Sequence, residues 1–486
     1  MSQATIDESI RVGSRRPLCV DLDGTLVKSD TLVDSLLLLV RTHPLKALRT
    51  PFWLRGGKAA LKARVCAQVQ LDAAHLPYNR ALLNYLNEQH AEGRKLYLTT
   101  GADTALAHRI AEHLGIFEEV LASNGTTNLT GNNKLESLRR RFPSEGFDYV
   151  GNASPDVTLL QNAGEAMLAN PSLPLQAKLK SRKIPVARQF NDRGIPLKIF
   201  LNTIRLHQWA KNILIFLPML LAHALRLSLI VEALVAFVCF SLCASATYIV
   251  NDLLDIEADR RHHKKRYRPF ASGDLPVTAG LGIIAVFMVL AFTGALLLPS
   301  HTFLVWMVVY LVTTLSYSLY LKRVVLVDVI LLSGLYTLRL LAGGAATDVT
   351  FSPWLAAFSI FLFLSLAMVK RFSELQNIRA QGNTLSNGRG YLLADIEQIR
   401  SFGTASAYAS VVVFAFYING SGATGLYRHP SRMWLMTPLM ILWLSRVWLL
   451  ASRGELDEDP VIFAVTDRMS LCIGLGIALI AVFAAI

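Results

Sequence analysis

Three aspartates, Asp252, Asp255 and Asp259, follow one another at spacings of three and four residues in N-D-L-L-D-I-E-A-D, directly after a long apolar run. On a helix, that spacing places all three carboxylates on one face. Like charges crowded at a membrane edge repel, and each resists desolvation, so a divalent cation is their natural counterpart. Oxygen donors of this kind select Mg²⁺ first. With Asn251 beside them and Lys264, Lys265, Arg266 and Arg268 just beyond, the stretch reads as a diphosphate site in which Mg²⁺ and basic side chains share the phosphate charge. A plainer reading makes the acids a solvated helix cap and the cations a topology signal.

A second set lies near the N-terminus. Pro17 to Val20 reads as a short buried strand running into Asp21-Leu22-Asp23-Gly24-Thr25. The first Asp of such a loop can attack phosphorus, the second can exchange a proton with the leaving group, and Gly permits the tight turn. The arrangement resembles the haloacid dehalogenase (HAD) phosphatase superfamily. That resemblance implies Thr100 as the hydroxyl of the second motif, Lys134 as the lysine of the third, and Asn152 with Asp156 at the metal loop. It also implies Mg²⁺ on Asp21, Asp23 and Asp156. Asn152 stands where the family usually has Asp, which keeps an oxygen donor but removes one negative charge.

These residues need two kinds of scaffold. The 486 residues are 53% hydrophobic and carry a formal charge of +13, too apolar for a soluble enzyme and too charged for membrane helices alone. The expected organisation is an α/β HAD-like (Rossmannoid) domain over 1–165 with a helical cap at about 30–92, a linker at 166–197 marked by Pro171, Pro174, Pro185 and Pro196, and an all-α membrane bundle over 198–486. Residues 1–15 read as loose, and no apolar leader occupies the first thirty, so the N-terminal domain is expected in the cytosol. From Ser35 to Leu71 there is no acidic residue, while Arg41, Lys46, Arg49, Arg55, Lys58, Lys62 and Arg64 gather around Phe52 and Trp53, a pattern suited to anionic lipid. No separate basic stripe with interleaved aromatics suggests nucleic acid. The five scattered cysteines read as reduced.

From His207 onward about nine apolar runs, near 209–225, 229–250, 277–298, 302–320, 325–344, 353–369, 402–419, 434–451 and 470–486, are each long enough to cross a ~30 Å hydrocarbon core. Basic residues fill the loops after the even-numbered runs, which sets those loops, like the N-terminal domain, in the cytosol. Polar residues at membrane depth are costly and therefore candidates for function. Lys211 and Asn212 open the first run, Lys322 and Arg323 close the fourth, and Asp328, Tyr336 and Arg339 share the fifth, with Asp328 and Arg339 about 16 Å apart along one face. They are expected to converge with the aspartates on one pocket.

The sequence N-D-x-x-D-x-x-x-D resembles the first Asp-rich signature of the UbiA superfamily of intramembrane prenyltransferases. Aromatic prenyltransferases of that superfamily usually carry a second D-x-x-x-D after the sixth span; here the loop holds Lys370, Arg371 and Glu374, then Arg389, Tyr391, Asp395 and Glu397. Together with Q-W-A-K-N, K-R-Y-R-P, L-A-G-G-A-A-T-D and V-K-R-F-S-E, the chain resembles the decaprenyl-phosphate phosphoribosyltransferase branch. The resemblance implies transfer of 5-phosphoribosyl from phosphoribosyl pyrophosphate to a polyprenyl phosphate, with Mg²⁺ as cofactor, at the cytosolic face of a bacterial inner membrane. The product would serve lipid-linked arabinose or ribose donors, and the HAD domain would remove its 5-phosphate. Asn251, Asp252, Asp255 and Asp259 would be catalytic, the three aspartates holding Mg²⁺. Lys211, Asn212, Lys264, Lys265, Arg266, Arg268, Lys322, Arg339, Lys370, Arg371 and Tyr391 would bind phosphates. The reading admits a homo-oligomer. Its rivals are an aromatic prenyltransferase consuming an isoprenyl diphosphate, and a transporter or lipid-binding scaffold without chemistry.

Overall fold

A computed structural model describes residues 16–380, 389–420, 425–456 and 460–486; the stretch 1–15, expected to be loose, lies outside these. The chain divides into two compact units, Met1–Thr203 with Ile249–Gly282, and Ile204–Tyr248 with Ile283–Ile486.

The first unit is built on a parallel sheet of β1 (Leu18–Val20), β2 (Leu96–Asp103), β3 (Glu119–Ser123), β4 (Asp148–Gly151), β5 (Ala166–Ala169) and β6 (Arg188–Phe190), in the order β3-β2-β1-β4-β5-β6. β1 pairs Leu18 with Leu96 on one side and with Asp148 on the other. Its three residues are wholly buried. Leu18 and Val20 face one apolar layer and Cys19 the other, as the two-residue period of a strand covered on both faces requires. The order reverses at β1, so the crevice beyond its C-terminal end, where Asp21 begins, is the ligand position of an open α/β sheet. This is the expected HAD-like domain.

The cap comprises helices Thr31–Thr42, Pro44–Ala47, Thr50–Leu54 and Gly57–Cys66, held on a small core of Leu39, Leu61, Val65 and Val69. Asp30 starts the first of them by accepting from the backbone N–H groups of Leu32 and Val33. Residues 166–197 do not form the expected linker. They supply β5, helix Leu173–Ser181 and β6, which complete the sheet. The proline read as a breaker, Pro174, sits in the first helical turn, where its missing N–H leaves no bond unmade.

Eight helices among the described residues are long and apolar enough to cross a membrane, from Leu227–Leu254 to Arg468–Ala485. The run at 209–225 is not a ninth. It folds as the 3₁₀ segment Leu206–Phe216 and the short helix Leu217–Leu221, with Pro218 at the junction and Lys211 and Asn212 buried. In the second unit this irregular segment is seated on helix Val327–Ala346. A Cβ added at Gly343 would stand 2.1 Å from the Ile215 carbonyl oxygen, so the G-G of L-A-G-G-A-A-T-D is a place of backbone contact. Large side chains such as Val289, Leu297 and Val312 remain more than half exposed, the outer face of a multi-pass membrane protein.

Candidate functional sites

In the first unit, Asp21, Asp23, Lys134, Asn152 and Asp156 line one cavity of about 780 Å³. Asp21 leaves the end of β1; its Oδ1 accepts from Lys134 Nζ at 2.7 Å and its Oδ2 from the Thr25 hydroxyl at 3.2 Å. Burial raises the Asp21 pKa against the pull of the lysine. For Lys134, burial opposes the charge, but the carboxylates of Asp21 and Asp156 outweigh it and hold the pKa above that of an ordinary lysine. Asp23 accepts from the Thr31 N–H at 2.8 Å, and burial, aided by the nearby Asp30 charge, pushes its pKa up to about 7. Two carboxyl groups with raised pKa values thus stand together at the end of β1. Gly24 has φ +74°, and a Cβ there would fall 2.0 Å from Asn152 Nδ2, so the D-x-D-G-T loop and the metal loop are in direct contact.

Two expected roles here differ. Thr100 is buried with its hydroxyl accepting from the Ala102 N–H, and the residue of that turn lining the cavity is Gly101. Asp156 is turned onto its own loop, accepting from Asn152 N–H, Ala153 N–H and the Tyr149 hydroxyl at 3.1–3.2 Å. Among the described residues no three His, Cys, Asp or Glu side chains are gathered as a metal would require. For Mg²⁺ this leaves Asp21, Asp23 and the amide oxygen of Asn152 as donors, a set of the right hardness and reduced charge. Sequence reasoning gave Lys62 no part in this site, yet its amine reaches the Gly101 carbonyl and Asn128 Oδ1 at the cavity wall. Its place among seven basic residues of the cap concealed it.

The Asp-rich motif does not form one continuous helix. The long helix ends at Leu254, Asp255 is the N-cap of helix Ile256–Arg261, and the kink separates the three carboxylates. Asp252 and Asp259, both buried, converge on one nitrogen of Arg268, at 3.0 and 2.7 Å. Burial raises the Asp259 pKa although Arg268 opposes it. Asp255 turns instead toward Arg41, at 3.4 Å. Two oxygen donors aimed at a single positive group fit Mg²⁺, with Arg268 standing where the cation charge belongs. Asn251 lies one turn before Asp255, whose N–H bonds its carbonyl. Lys264, Lys265 and Arg266 are exposed, Arg266 bonds the Tyr267 hydroxyl, and Arg268 lies on the carboxylates.

The segment around this motif is pinned to the HAD-like part by a buried pair whose partners lie far apart in the chain. Arg260 Nη2 lies 2.8 Å from Asp34, the two side chains 2% and 1% exposed. The same guanidinium donates to the Ser29 hydroxyl and the Ala271 carbonyl. Lys28 meets Asp274 at 3.0 Å.

In the second unit, Lys211, Asn212 and Arg339 come together. Arg339, 5% exposed, donates to Asn212 Oδ1 at 2.8 Å and lies 5.3–5.5 Å from the ring centres of Phe240, Tyr310 and Tyr336. Lys211 stands over the other member of that cage, 5.7 Å from the Tyr336 ring. Among the described residues Arg339 has no carboxylate partner. Two buried cations thus share one aromatic ring at membrane depth, where an unfunctional charge is costly. Asp328 is not part of this group. Its partner is Arg371, Nε to Oδ2 2.7 Å, and Arg371 also pairs with Glu374. Arg371 is 1% exposed and is engaged by both carboxylates. Tyr391 is likewise buried, its hydroxyl accepting from the Leu326 N–H. Lys322 lies in a 3₁₀ turn after helix Thr302–Leu319, and Lys370 within helix Pro353–Ala380.

Residues 212–474 match the model of the UbiA prenyltransferase family. An uncharacterised protein of Sinorhizobium fredii, y4nM, is 38% identical over 465 residues, 95% of this chain and 90% of the relative. A decaprenyl-phosphate phosphoribosyltransferase of Mycobacterium tuberculosis is 38% identical over 272 residues, 55% of this chain and 87% of the relative. The solved structure of a UbiA homologue from Archaeoglobus fulgidus bound to DMAPP and Mg²⁺ is 16% identical, with a TM-score of 0.45, covering 59% of this chain and 97% of that one. The chain belongs to the UbiA prenyltransferase family, as a multi-pass membrane transferase related to decaprenyl-phosphate phosphoribosyltransferase and preceded by a HAD-like domain.

Proposed function

We propose that the membrane domain transfers 5-phosphoribosyl from phosphoribosyl pyrophosphate to a polyprenyl phosphate at the cytosolic face of a bacterial inner membrane, and that the HAD-like domain then removes the 5-phosphate. A phosphate oxygen of the lipid attacks the anomeric carbon while the bond from that carbon to the pyrophosphate oxygen breaks, releasing pyrophosphate. The lipid phosphate is already ionised at neutral pH, so this step calls for no general base. Positioning and charge neutralisation carry it. Asp252 and Asp259 would hold Mg²⁺, which supplies charge to the leaving diphosphate; Asp255, Asn251 and Arg268 complete that end. Lys211, Asn212 and Arg339 receive one of the substrate phosphates. The observation that carries the reading is the burial of two cations, Lys211 and Arg339, around the Tyr336 ring in a bundle of membrane-length helices.

The test is incubation of the detergent-purified chain with Mg²⁺, labelled phosphoribosyl pyrophosphate and a polyprenyl phosphate, following label into the lipid phase. Transfer is expected, with a loss of at least about 100-fold for Asp252→Asn and for Arg339→Met. Absence of transfer, with an isoprenyl diphosphate consumed against an aromatic acceptor instead, overturns the proposal.

A further inference from the structure

The 780 Å³ cavity beyond β1 is lined by both charged and apolar side chains. Its floor is charged, with Asp21, Asp23, Lys134 and Lys62. Part of its wall comes from the segment that follows the Asp-rich motif, Phe270, Leu275, Pro276 and Val277, and Leu54 and Leu61 of the cap line it as well. That wall is fastened in place. The Lys28–Asp274 pair and the Arg260 bond to the Ala271 carbonyl hold it, and at Gly273, φ +73°, a Cβ would meet Lys28 Cβ at 2.7 Å. A site for a small soluble sugar phosphate would surround the hydroxyls with hydrogen-bonding groups. Here Phe270, Leu275, Pro276, Val277, Leu54 and Leu61 share the lining with the charged groups. The volume is that of a whole drug-sized ligand, about 300–1,000 Å³, well beyond the need of a phosphate and one sugar.

The surface beside the mouth has the same character. Leu54, half exposed, belongs both to the cavity lining and to a cap face carrying exposed Leu45, Leu48 and Phe52. Around them stand Arg41, Lys46, Arg49 and Arg55, without an acidic residue between Ser35 and Leu71. Apolar side chains among cations are the pattern of a surface resting on anionic lipid.

We propose that the cavity takes a phosphate monoester carried on a long apolar chain, with Leu275, Val277 and Leu54 setting the preference for lipid-linked over soluble esters. The inference rests on the reading of the Asp21 cavity as a phosphohydrolase site. In the reaction an Asp21 oxygen bonds to phosphorus as the ester P–O bond breaks, and the leaving oxygen takes a proton from water. The hydroxide so formed attacks the phosphoaspartate, freeing inorganic phosphate and restoring the Asp21 carboxylate. The apolar wall orients the chain so that only the terminal phosphate reaches the floor.

The test uses the full chain in lipid nanodiscs with Mg²⁺ and reads phosphate released from three probes: farnesyl monophosphate, ribose 5-phosphate and p-nitrophenyl phosphate. The expected result is a kcat/KM at least tenfold higher for farnesyl monophosphate than for ribose 5-phosphate. Leu275→Gln should lower that ratio about tenfold, and so should Leu54→Gln, whose exposed position keeps folding out of the question. Hydrolysis of p-nitrophenyl phosphate without a preference for the lipid ester, or a ratio unmoved by both variants, overturns the specificity proposal alone. No hydrolysis of any probe overturns the phosphohydrolase reading and this inference with it, whatever the transfer assay gives.

Discussion

Arg260→Leu should unfold the first unit more readily than any surface substitution, and the reason is arithmetic on one ion pair. The Asp34 side chain is 1% exposed; without Arg260 it keeps only the Ser29 hydroxyl, at 2.6 Å, as a side-chain donor among the described residues. A carboxylate left so in the interior costs about 3–5 kcal/mol, a large share of the 5–15 kcal/mol that a domain commands. Asp34→Leu should cost a similar amount by stranding the guanidinium. The double variant, apolar on both sides, should cost less than either single change, because the desolvation of both ions is then relieved. Pulse proteolysis of the full chain in detergent across a urea series, scoring the fragment of the first unit, measures all four states. The cycle should return a coupling energy of at least about 3 kcal/mol. Single losses that add to the double within about 0.5 kcal/mol would refute the reasoning, since the pair would then contribute nothing as a pair.

Two backbone contacts give further expectations. Gly343→Val forces side-chain atoms into the Ile215 carbonyl, 2.1 Å from where Cβ must go, and should destabilise the second unit by about 1–3 kcal/mol, seen as a lower thermal midpoint in detergent; an unchanged midpoint would argue against this seating. Gly24→Ala adds left-handed strain of about 1–2 kcal/mol and displaces Asn152, so p-nitrophenyl phosphate hydrolysis should fall at least tenfold while transfer to lipid persists; equal retention of both activities would contradict the contact.

The sequence disclosed the residues whose surroundings are local. Asp21 and Asp23 follow a strand that any reader can see, and the cavity gathers them with Lys134, Asn152 and Asp156 because each ends a strand or opens a helix beside β1. Lys211, Asn212 and Arg339 were legible for a different reason, since polar groups inside apolar runs stand out by cost alone. What stayed hidden depends on distant partners. Asp328 looked like a companion to Arg339 on the same helix, whereas the side chain it meets is Arg371, 43 residues on. The three aspartates obeyed a helical period that the kink at Asp255 interrupts. Prolines at 171–196 suggested a linker because composition cannot distinguish a helix start from a break.

The Arg260–Asp34 pair also sets a schedule for synthesis. The Ser29 region and Arg260 are separated by 231 residues. At about 5–20 residues per second, a ribosome needs roughly 10–50 s to supply the arginine after the serine and aspartate have emerged. During that interval Asp34 lacks its arginine while the first membrane-length helix, Leu227–Leu254, is being made. The last step of maturation of the HAD-like fold is therefore tied to insertion: the domain at the front of the chain finishes only after part of the bundle behind it has been translated.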